Sequence, residues 1–111
     1  MAGLGDLVGM MKDLGGLKKR MAELQEELAN KRVEGSAGAG KVLATVNGRG
    51  ELLGLKIDPE VVAPDETELL EDMVKAAVRQ AADKARDIQR EEMSKLLGGI
   101  PLPPGLADLM A

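Results

Sequence analysis

The segment KVLATVNGRGELLGLKI, residues 41–57, places two alternating apolar stretches on either side of Asn47-Gly48. Alternation with a period of two is typical of a strand with one buried face, because successive side chains of a strand point to opposite sides. Asn and Gly both tolerate the positive φ angles of a tight turn, so Asn47-Gly48 predicts that turn. The segment therefore predicts an antiparallel hairpin with strands over 41–47 and 52–57.

Residues 32–40 predict a further short strand and a loop. Residues 33–35 are the candidate strand, and the GSAGAG of residues 35–40 is a connection of small residues. With Lys41 this loop matches G-x-x-x-x-G-K, a pattern whose backbone N–H groups hold phosphates. Such a site also needs Ser or Thr at the next position and a helix after it, whereas Val42 and an alternating stretch follow. We therefore expect a hairpin loop and no nucleotide site.

A long helix is predicted before this sheet. Its apolar residues recur at alternating spacings of three and four, which is a heptad-like seam on one helix face. Gly15-Gly16 interrupts the seam at a cost of about 1 kcal/mol per glycine relative to Ala, so a kink or a break is expected there. The seam consists of Leu7, Met10, Leu14, Leu17, Met21, Leu24 and Leu28.

A second long helix is predicted after the sheet. Asp65 suits its N-cap, with Glu68 at a capping-box-like spacing, and Gly98-Gly99 ends it. Small residues in its apolar stripe permit the close approach of a partner helix. The PLPPG of residues 101–105 is not compatible with a helix and predicts an extended tail. The stripe consists of Val74, Val78, Ala81, Ala85 and Ile88.

Together these elements predict one α+β domain over residues 1–111. We expect the first helix to lie across the apolar sheet face and the second to form a two-fold interface. The chain has no Phe, Tyr or Trp, so its core is modest, and a homodimer would add the missing apolar burial. The expected parts are a helical arm (1–31), an antiparallel sheet of about three strands (32–57), a long helix (65–97) and a Pro-rich tail (98–111).

The residue types that are absent exclude several classes of function. With no Cys and no His there is no disulfide framework, zinc finger or Ser-His-Asp triad. No nucleophile-base pair is evident, so we expect no enzyme, no metal, no cofactor and no small-molecule substrate. Without aromatic residues there is no stacking platform for single-stranded bases. No apolar run approaches the ~18 residues of a membrane span, which favours a cytoplasmic protein without a membrane partner.

The net charge is −4, but the charges are unevenly distributed. Residues 58–72 contain seven acids and no base, so the rest of the chain carries 15 bases against 12 acids. Acids at the start of a helix suit the helix dipole and need no metal. Asp83 and Asp87 lie among the bases of the second helix, and an Arg79–Asp83 pair is expected there. The candidate phosphate-binding residues are Lys12, Lys18, Lys19 and Arg20 on the first helix and Lys75, Arg79, Arg86 and Arg90 on the second.

The order of these features points to a known family. A Met/Leu-rich helix is followed by GAGKV at 38–42, TVNG at 45–48, IDP at 57–59, a long Ala/Arg/Lys helix and LPPG at 102–105. This order resembles the YbaB/EbfC family of bacterial nucleoid-associated proteins over essentially the whole chain. The resemblance implies a small α+β protomer, an intertwined homodimer with helices projecting like tweezers, and duplex DNA binding in the nucleoid with little sequence preference. It places the DNA contacts on the helical arms.

Two functions remain open from the sequence. One is a DNA-binding homodimer that contacts phosphates through Lys and Arg of its helices. The other is a protein-interaction module whose helix tips bind a partner, with weak or indirect DNA association. Salt-sensitive binding of duplex DNA by the purified protein would separate the two, because phosphate contacts release counterions.

Overall fold

The computed structural model describes residues 4–98, without the side chains of residues 4–7 and 10–13, and has an α+β architecture. Two single 3₁₀ turns, Pro59–Val61 and Pro64–Glu66, join the sheet to the second helix. No helix in the described part is long and apolar enough to cross a membrane. The tail predicted for residues 98–111 lies, after Gly98, outside the described residues. The main elements are α1 (Leu4–Asn30), β1 (Arg32–Ala37), β2 (Val42–Asn47), β3 (Leu52–Ile57) and α2 (Thr67–Leu96).

The three strands form an antiparallel sheet in the order β1-β2-β3, as the alternating pattern predicted. On the central strand β2, Val42, Ala44 and Val46 are fully buried on the face toward α2. β1 extends further than the predicted strand, because Ser36 and Ala37 continue the pairing with β2. A register shift beside Val46 interrupts the β2–β3 pairing.

The helix α2, and not α1, covers the sheet. Ala77, Ala81 and Ala85 are completely buried against β1 and β2. They lie so close to Gly35 that a Cβ atom on this glycine would collide with the backbone of Ala77. The prediction that α1 lies across the sheet, leaving the α2 stripe for a partner, is therefore wrong. The small residues do permit a close approach, but it is to the protein's own strand.

The helix α1 is continuous over 27 residues, so the break predicted at Gly15-Gly16 does not occur. Glycine keeps both its N–H and its C=O, and its helix cost comes mainly from unfolded-state freedom, so the hydrogen-bond ladder can pass through it. Of the seam residues whose side chains are described, only Leu24 and Leu28 are buried, and they pack against Met93 of α2. Leu14 remains 63% exposed. The preceding part of α1 is therefore an arm.

The β2–β3 hairpin is confirmed, but its turn differs from the predicted one. The connection spans residues 48–51, and Gly50 supplies the positive φ, at 86°. Asn47 instead acts through its side chain, whose Oδ1 accepts hydrogen bonds from the N–H groups of Arg49 and Glu51, each at 3.0 Å. An Asn side chain that bonds to nearby backbone groups stabilises a loop without leaving extended geometry.

The sequence predicts Asp65 as the N-cap of α2 and Gly98-Gly99 as its end. Asp65 is not the N-cap, because Pro64 starts a 3₁₀ turn that includes Asp65 and moves the helix start to Thr67. Gly98 ends the helix as predicted, with φ of 68° and its N–H donating to the carbonyl of Lys95 at 3.1 Å.

We predict that Gly35→Ala destabilises the protein, because the added methyl group meets helix backbone that cannot rotate away. Overpacking of this kind costs about 1–3 kcal/mol. Urea denaturation at fixed protein concentration measures the loss. Gly15→Ala on the exposed arm is the control, since a Cβ there meets nothing within 4 Å. Equal unfolding midpoints for the two variants would contradict the packing described.

Candidate nucleic-acid interface

The arm of α1 carries three consecutive cations, Lys18, Lys19 and Arg20, which we call the arm cluster. All three are exposed, and no carboxylate of the described residues lies within 4 Å of their side-chain nitrogens. Successive helical residues are 100° apart, so the three side chains cover more than half of the helix circumference. Lys12 lies on the same helix, but its side chain is outside the described part. The arm cluster is thus a patch of three positive charges that forms no ion pair among the described residues, although Glu23 follows three residues after Arg20 on the same helix.

The four cations predicted on α2 form the expected stripe. Their positions fall within an arc of about 60° on the helix, opposite the alanines that contact the sheet. Three of them form ion pairs with the acid three residues earlier: Lys75–Asp72 at 3.4 Å, Arg86–Asp83 at 3.0 Å and Arg90–Asp87 at 3.7 Å. The predicted Arg79–Asp83 pair is wrong, because Asp83 contacts Arg86 instead.

The two basic regions therefore differ in strength. Exposed ion pairs contribute little to stability and exchange readily, so the α2 cations remain available to another anion. Their paired acids nevertheless repel that anion, and the stripe with its three acids has a net charge near one. The arm cluster keeps its full charge. We therefore expect it to contribute more to phosphate attraction than the stripe.

An exposed apolar surface lies on β3, where the sequence predicted a buried face. Leu52, Leu53 and Leu55 are 55%, 49% and 43% exposed. A helix is about 10 Å wide and neighbouring strands are about 4.8 Å apart, so α2 covers two strands and leaves the third. The half-buried flank of α2 at Val74 and Val78 borders the same side. We call these five residues the β3 apolar surface. Its pattern was visible in the sequence, but the missing cover was not.

The two edge strands of the sheet, β1 and β3, differ in whether side chains bind their outward backbone groups. On β1, the N–H of Ser36 donates to Oε1 of Gln80 at 2.7 Å, and Nζ of Lys84 donates to the carbonyl of Glu34 at 2.9 Å. These contacts occupy backbone groups that another strand would need. No described side chain makes such a bond to the outer edge of β3. Unprotected edge strands pair with other chains, so β3 is the edge open to pairing.

Comparison with known proteins places this arrangement in a family. The model of the YbaB/EbfC DNA-binding family matches residues 3–100. The chain belongs to the YbaB/EbfC DNA-binding family. A nucleoid-associated protein of Agrobacterium fabrum is 43% identical over 101 residues, which are 91% of this chain and 94% of that protein. One from Dictyoglomus thermophilum is 48% identical over 96 residues, covering 86% and 92%.

A solved structure supports the fold of this YbaB/EbfC member. The crystal structure of an uncharacterised protein from Helicobacter pylori has a TM-score of 0.73 and 23% identity, covering 87% of this chain and 99% of that one. At this identity the likeness concerns the fold alone. The resemblance inferred from the order of short motifs is confirmed.

The loop that matched the phosphate pattern connects two strands in this family member. Gly38, Ala39 and Gly40 all have positive φ, and β2 follows directly. Lys41 contacts the carboxylates of Glu60 and Asp58, the latter at 3.5 Å. The hydrogen bond to Glu60 and the charge of Asp58 raise the pKa of Lys41. The pKa of Asp58 is lowered, first by the N–H of Glu60 and then by Lys41. The amine of Lys41 thus already contacts two carboxylates of its own chain.

The acids of residues 58–72 do not converge. Among the residues that the structure describes, no group of three or more carboxylates is arranged to hold a metal ion. Glu60 and Asp58 are directed to Lys41, and Asp72 to Lys75. The segment therefore acts as a negatively charged surface beside the start of α2.

We predict that Lys41→Ala leaves the thermal midpoint nearly unchanged and that ATP with Mg²⁺ raises the midpoint of neither protein. A ligand at a hundredfold excess over its dissociation constant stabilises a protein by about 2.7 kcal/mol, so binding would be visible in a thermal melt. An ATP-dependent increase that disappears in Lys41→Ala would show that the loop binds nucleotide after all.

Proposed function

We propose that this protein is a nucleoid-associated protein that binds duplex DNA as a homodimer, through phosphate contacts and with little sequence preference, in the nucleoid of the cytoplasm. Its family and the names of its relatives support DNA as the partner. The observation that carries the proposal is the arm cluster, three exposed cations on a projecting helix that form no ion pair with a carboxylate of the described residues. Lys and Arg at such positions attract the phosphate backbone of any sequence.

The side chains around the arm cluster favour phosphates over base edges. Asn and Gln read adenine through two hydrogen bonds, and the first 24 residues contain neither type. Phosphate contacts also make binding salt-dependent, with a slope of about −0.9 per phosphate contacted. The acidic segment 58–72 repels DNA and directs it toward the arms and toward the row of cations on α2, which consists of Lys75, Arg79, Arg86 and Arg90. The expected affinity lies toward the nonspecific range of about 10⁻⁴ to 10⁻⁶ M at physiological salt.

The β3 apolar surface supports the homodimer. If β3 pairs with β3 of a second copy, a six-stranded sheet results and both α2 helices lie on one of its faces. The apolar flanks at Val74 and Val78 would then face the two-fold axis above the leucines of β3. Such an isologous interface satisfies both open edges at once. The α2 stripes would lie on the outer side of the helices, and the assembly would carry two arms.

We predict that Lys18→Glu, Lys19→Glu and Arg20→Glu together abolish the retardation of duplex DNA in a gel and leave the dimer folded. The reason is local charge, so the control must change net charge equally elsewhere. Arg32→Glu, Arg49→Glu and Lys84→Glu alter three exposed cations on β1, on the β2–β3 turn and on the β1 side of α2, away from the β3 edge. We expect this control to retain most of the binding at matched salt.

Three results would contradict the DNA proposal. They are no retardation by the unmodified protein at low salt, equal binding by the arm variant, and equal losses in the two charge-matched variants. The first result would favour the protein-interaction module. The second would move the contact away from the arm, and the third would reduce it to overall charge.

We predict that Leu53→Lys with Leu55→Lys dissociates the dimer, because four lysines would meet across the two-fold axis. Light scattering coupled to size exclusion should give twice the 11.7 kDa chain mass for the unmodified protein and a monomer for the variant. Leu69→Lys is the control, since this equally exposed leucine projects toward the β1 side of α2. A folded unmodified monomer at micromolar concentration would overturn the homodimer.

A further inference from the structure

We infer that the β2–β3 turn clamps the base of α1 and thereby sets the direction in which the arm carries its basic cluster. Two hydrogen bonds form this clamp. The N–H of Gly48 donates to the carbonyl of Leu28 at 2.7 Å. The carbonyl of Gly48 accepts from Nε2 of Gln89 at 2.8 Å. One glycine therefore joins α1 to α2 through its two backbone groups.

Glycine at position 48 is required by the closeness of α1 and not by its own backbone angles. Its φ is not positive, in contrast to that of Gly50. A Cβ atom at position 48 would lie 2.8 Å from the carbonyl oxygen of Leu28 and 3.1 Å from its Cα. Both are helix backbone atoms, so a side chain here would push the whole base of α1 away.

The turn is stiff enough to act as a clamp. Asn47 is 4% exposed, and its side chain makes three hydrogen bonds to the loop. Its Oδ1 accepts from the N–H groups of Arg49 and Glu51, and its Nδ2 donates to the Glu51 carboxylate at 3.0 Å. The loop is thus held by three part-buried hydrogen bonds to one buried side chain, which restrict its motion.

Among the described residues, the other contacts of α1 lie at the same end. Leu24 and Leu28 pack on Met93, and Lys31 forms an ion pair with Glu92 at 3.5 Å. Partial burial alone would raise the pKa of Glu92, but the charges of Lys95 and Lys31 hold that pKa below its ordinary value. The arm cluster is exposed beyond these contacts. The direction of the arm is consequently decided at its base.

The arm converts a small change at the clamp into a large one at the cluster. Nine residues separate Leu28 from Lys19, which is about 13 Å of helix, so a 10° rotation moves Lys19 by about 2 Å. Phosphates of one DNA strand are about 3.4 Å apart along the helix axis. In a dimer both arms would move, so the change in the distance between the two arm clusters combines the displacements of both. Resting on the proposed function, we therefore infer that Gly48 and Gln89 are positioning residues that set the spacing of the phosphate contacts.

The chain contains no Cys, so spin labels can be placed at single introduced cysteines. Labels at Leu17→Cys on the arm and Glu34→Cys on β1 of the sheet report the arm direction by electron–electron distance measurement. Mixing with excess unlabelled protein isolates the distance within one chain. We expect Gly48→Ala to shift the mean distance by about 2 Å or more, by the lever argument above. Gln89→Ala removes one hydrogen bond of the clamp without adding bulk, so it should broaden the distribution of distances between the labels.

The matched control is Gly9→Ala, where a Cβ meets nothing within 4 Å and the labels are distant. Unlabelled Gly48→Ala should change the shortest duplex that the dimer binds with full affinity, measured by gel retardation over a series of duplex lengths. Its salt slope should equal that of the unmodified protein, because the same cations remain. Loss of charge, as in the arm-cluster variant, would instead reduce the slope.

Each outcome decides a part of the inference. Unchanged distances in both Gly48→Ala and Gln89→Ala would overturn the clamp. Shifted distances with an unchanged dependence on duplex length would overturn its effect on DNA, although the proposed function would stand. If the unmodified protein does not bind DNA, the proposed function fails together with this effect, and the distances alone decide the clamp.

Discussion

The backbone of α2 rests directly on β1 at Gly35, and the rest of the architecture depends on this contact. Three alanines on one helix face and a glycine on the strand remove the side chains that would otherwise separate helix and sheet. Close packing of this kind fixes the helix over β1 and β2. It also determines what remains uncovered, namely β3 on one side and α1 beyond its base.

These uncovered regions correspond to the two properties proposed for the protein. The β3 apolar surface is next to an open strand edge, whereas Gln80 and Lys84 protect the opposite edge. An apolar surface and an unpaired edge on the same strand are both satisfied by one self-complementary contact. The arm of α1 is uncovered as well, and it carries the three positive charges of residues 18–20. Apolar exposure thus favours a second copy, and charged exposure favours an anionic polymer.

An overall negative charge is compatible with DNA binding when its distribution is considered. The acids of α2 are placed three residues before its cations and reduce the field of the stripe. The arm cluster has no such partner among the described residues. At physiological salt the Debye length is about 8 Å, so phosphates near the cluster respond to local charges more than to the sum over the chain.

Much of this fold is predictable from the sequence, for identifiable reasons. Periodicity predicts both long helices, and β3 begins and ends at the predicted residues because Asp58-Pro59 stops it. Periodicity cannot choose which apolar helix covers the sheet, since α1 and α2 both have an apolar face. Side-chain size decides which helix packs on the sheet. The apolar face of α2 contains small residues such as Ala77, whereas the apolar face of α1 consists mainly of leucines. For the candidate interface, the exposure of the cations is predictable, but their ion pairs depend on competing rotamers. Asp83 accordingly contacts Arg86 and not Arg79.

The contact proposed between duplex DNA and the arm cluster of a dimer can be located in solution. Nuclear magnetic resonance of the backbone amides during titration with a short duplex tests it residue by residue, and the 11.7 kDa chain suits the method. The account predicts that the amide signals of residues 17–21 shift most, that those near Arg79 shift less, and that those of residues 58–72 and β3 do not. Shifts concentrated on β3 or on residues 58–72, with the arm unaffected, would contradict it.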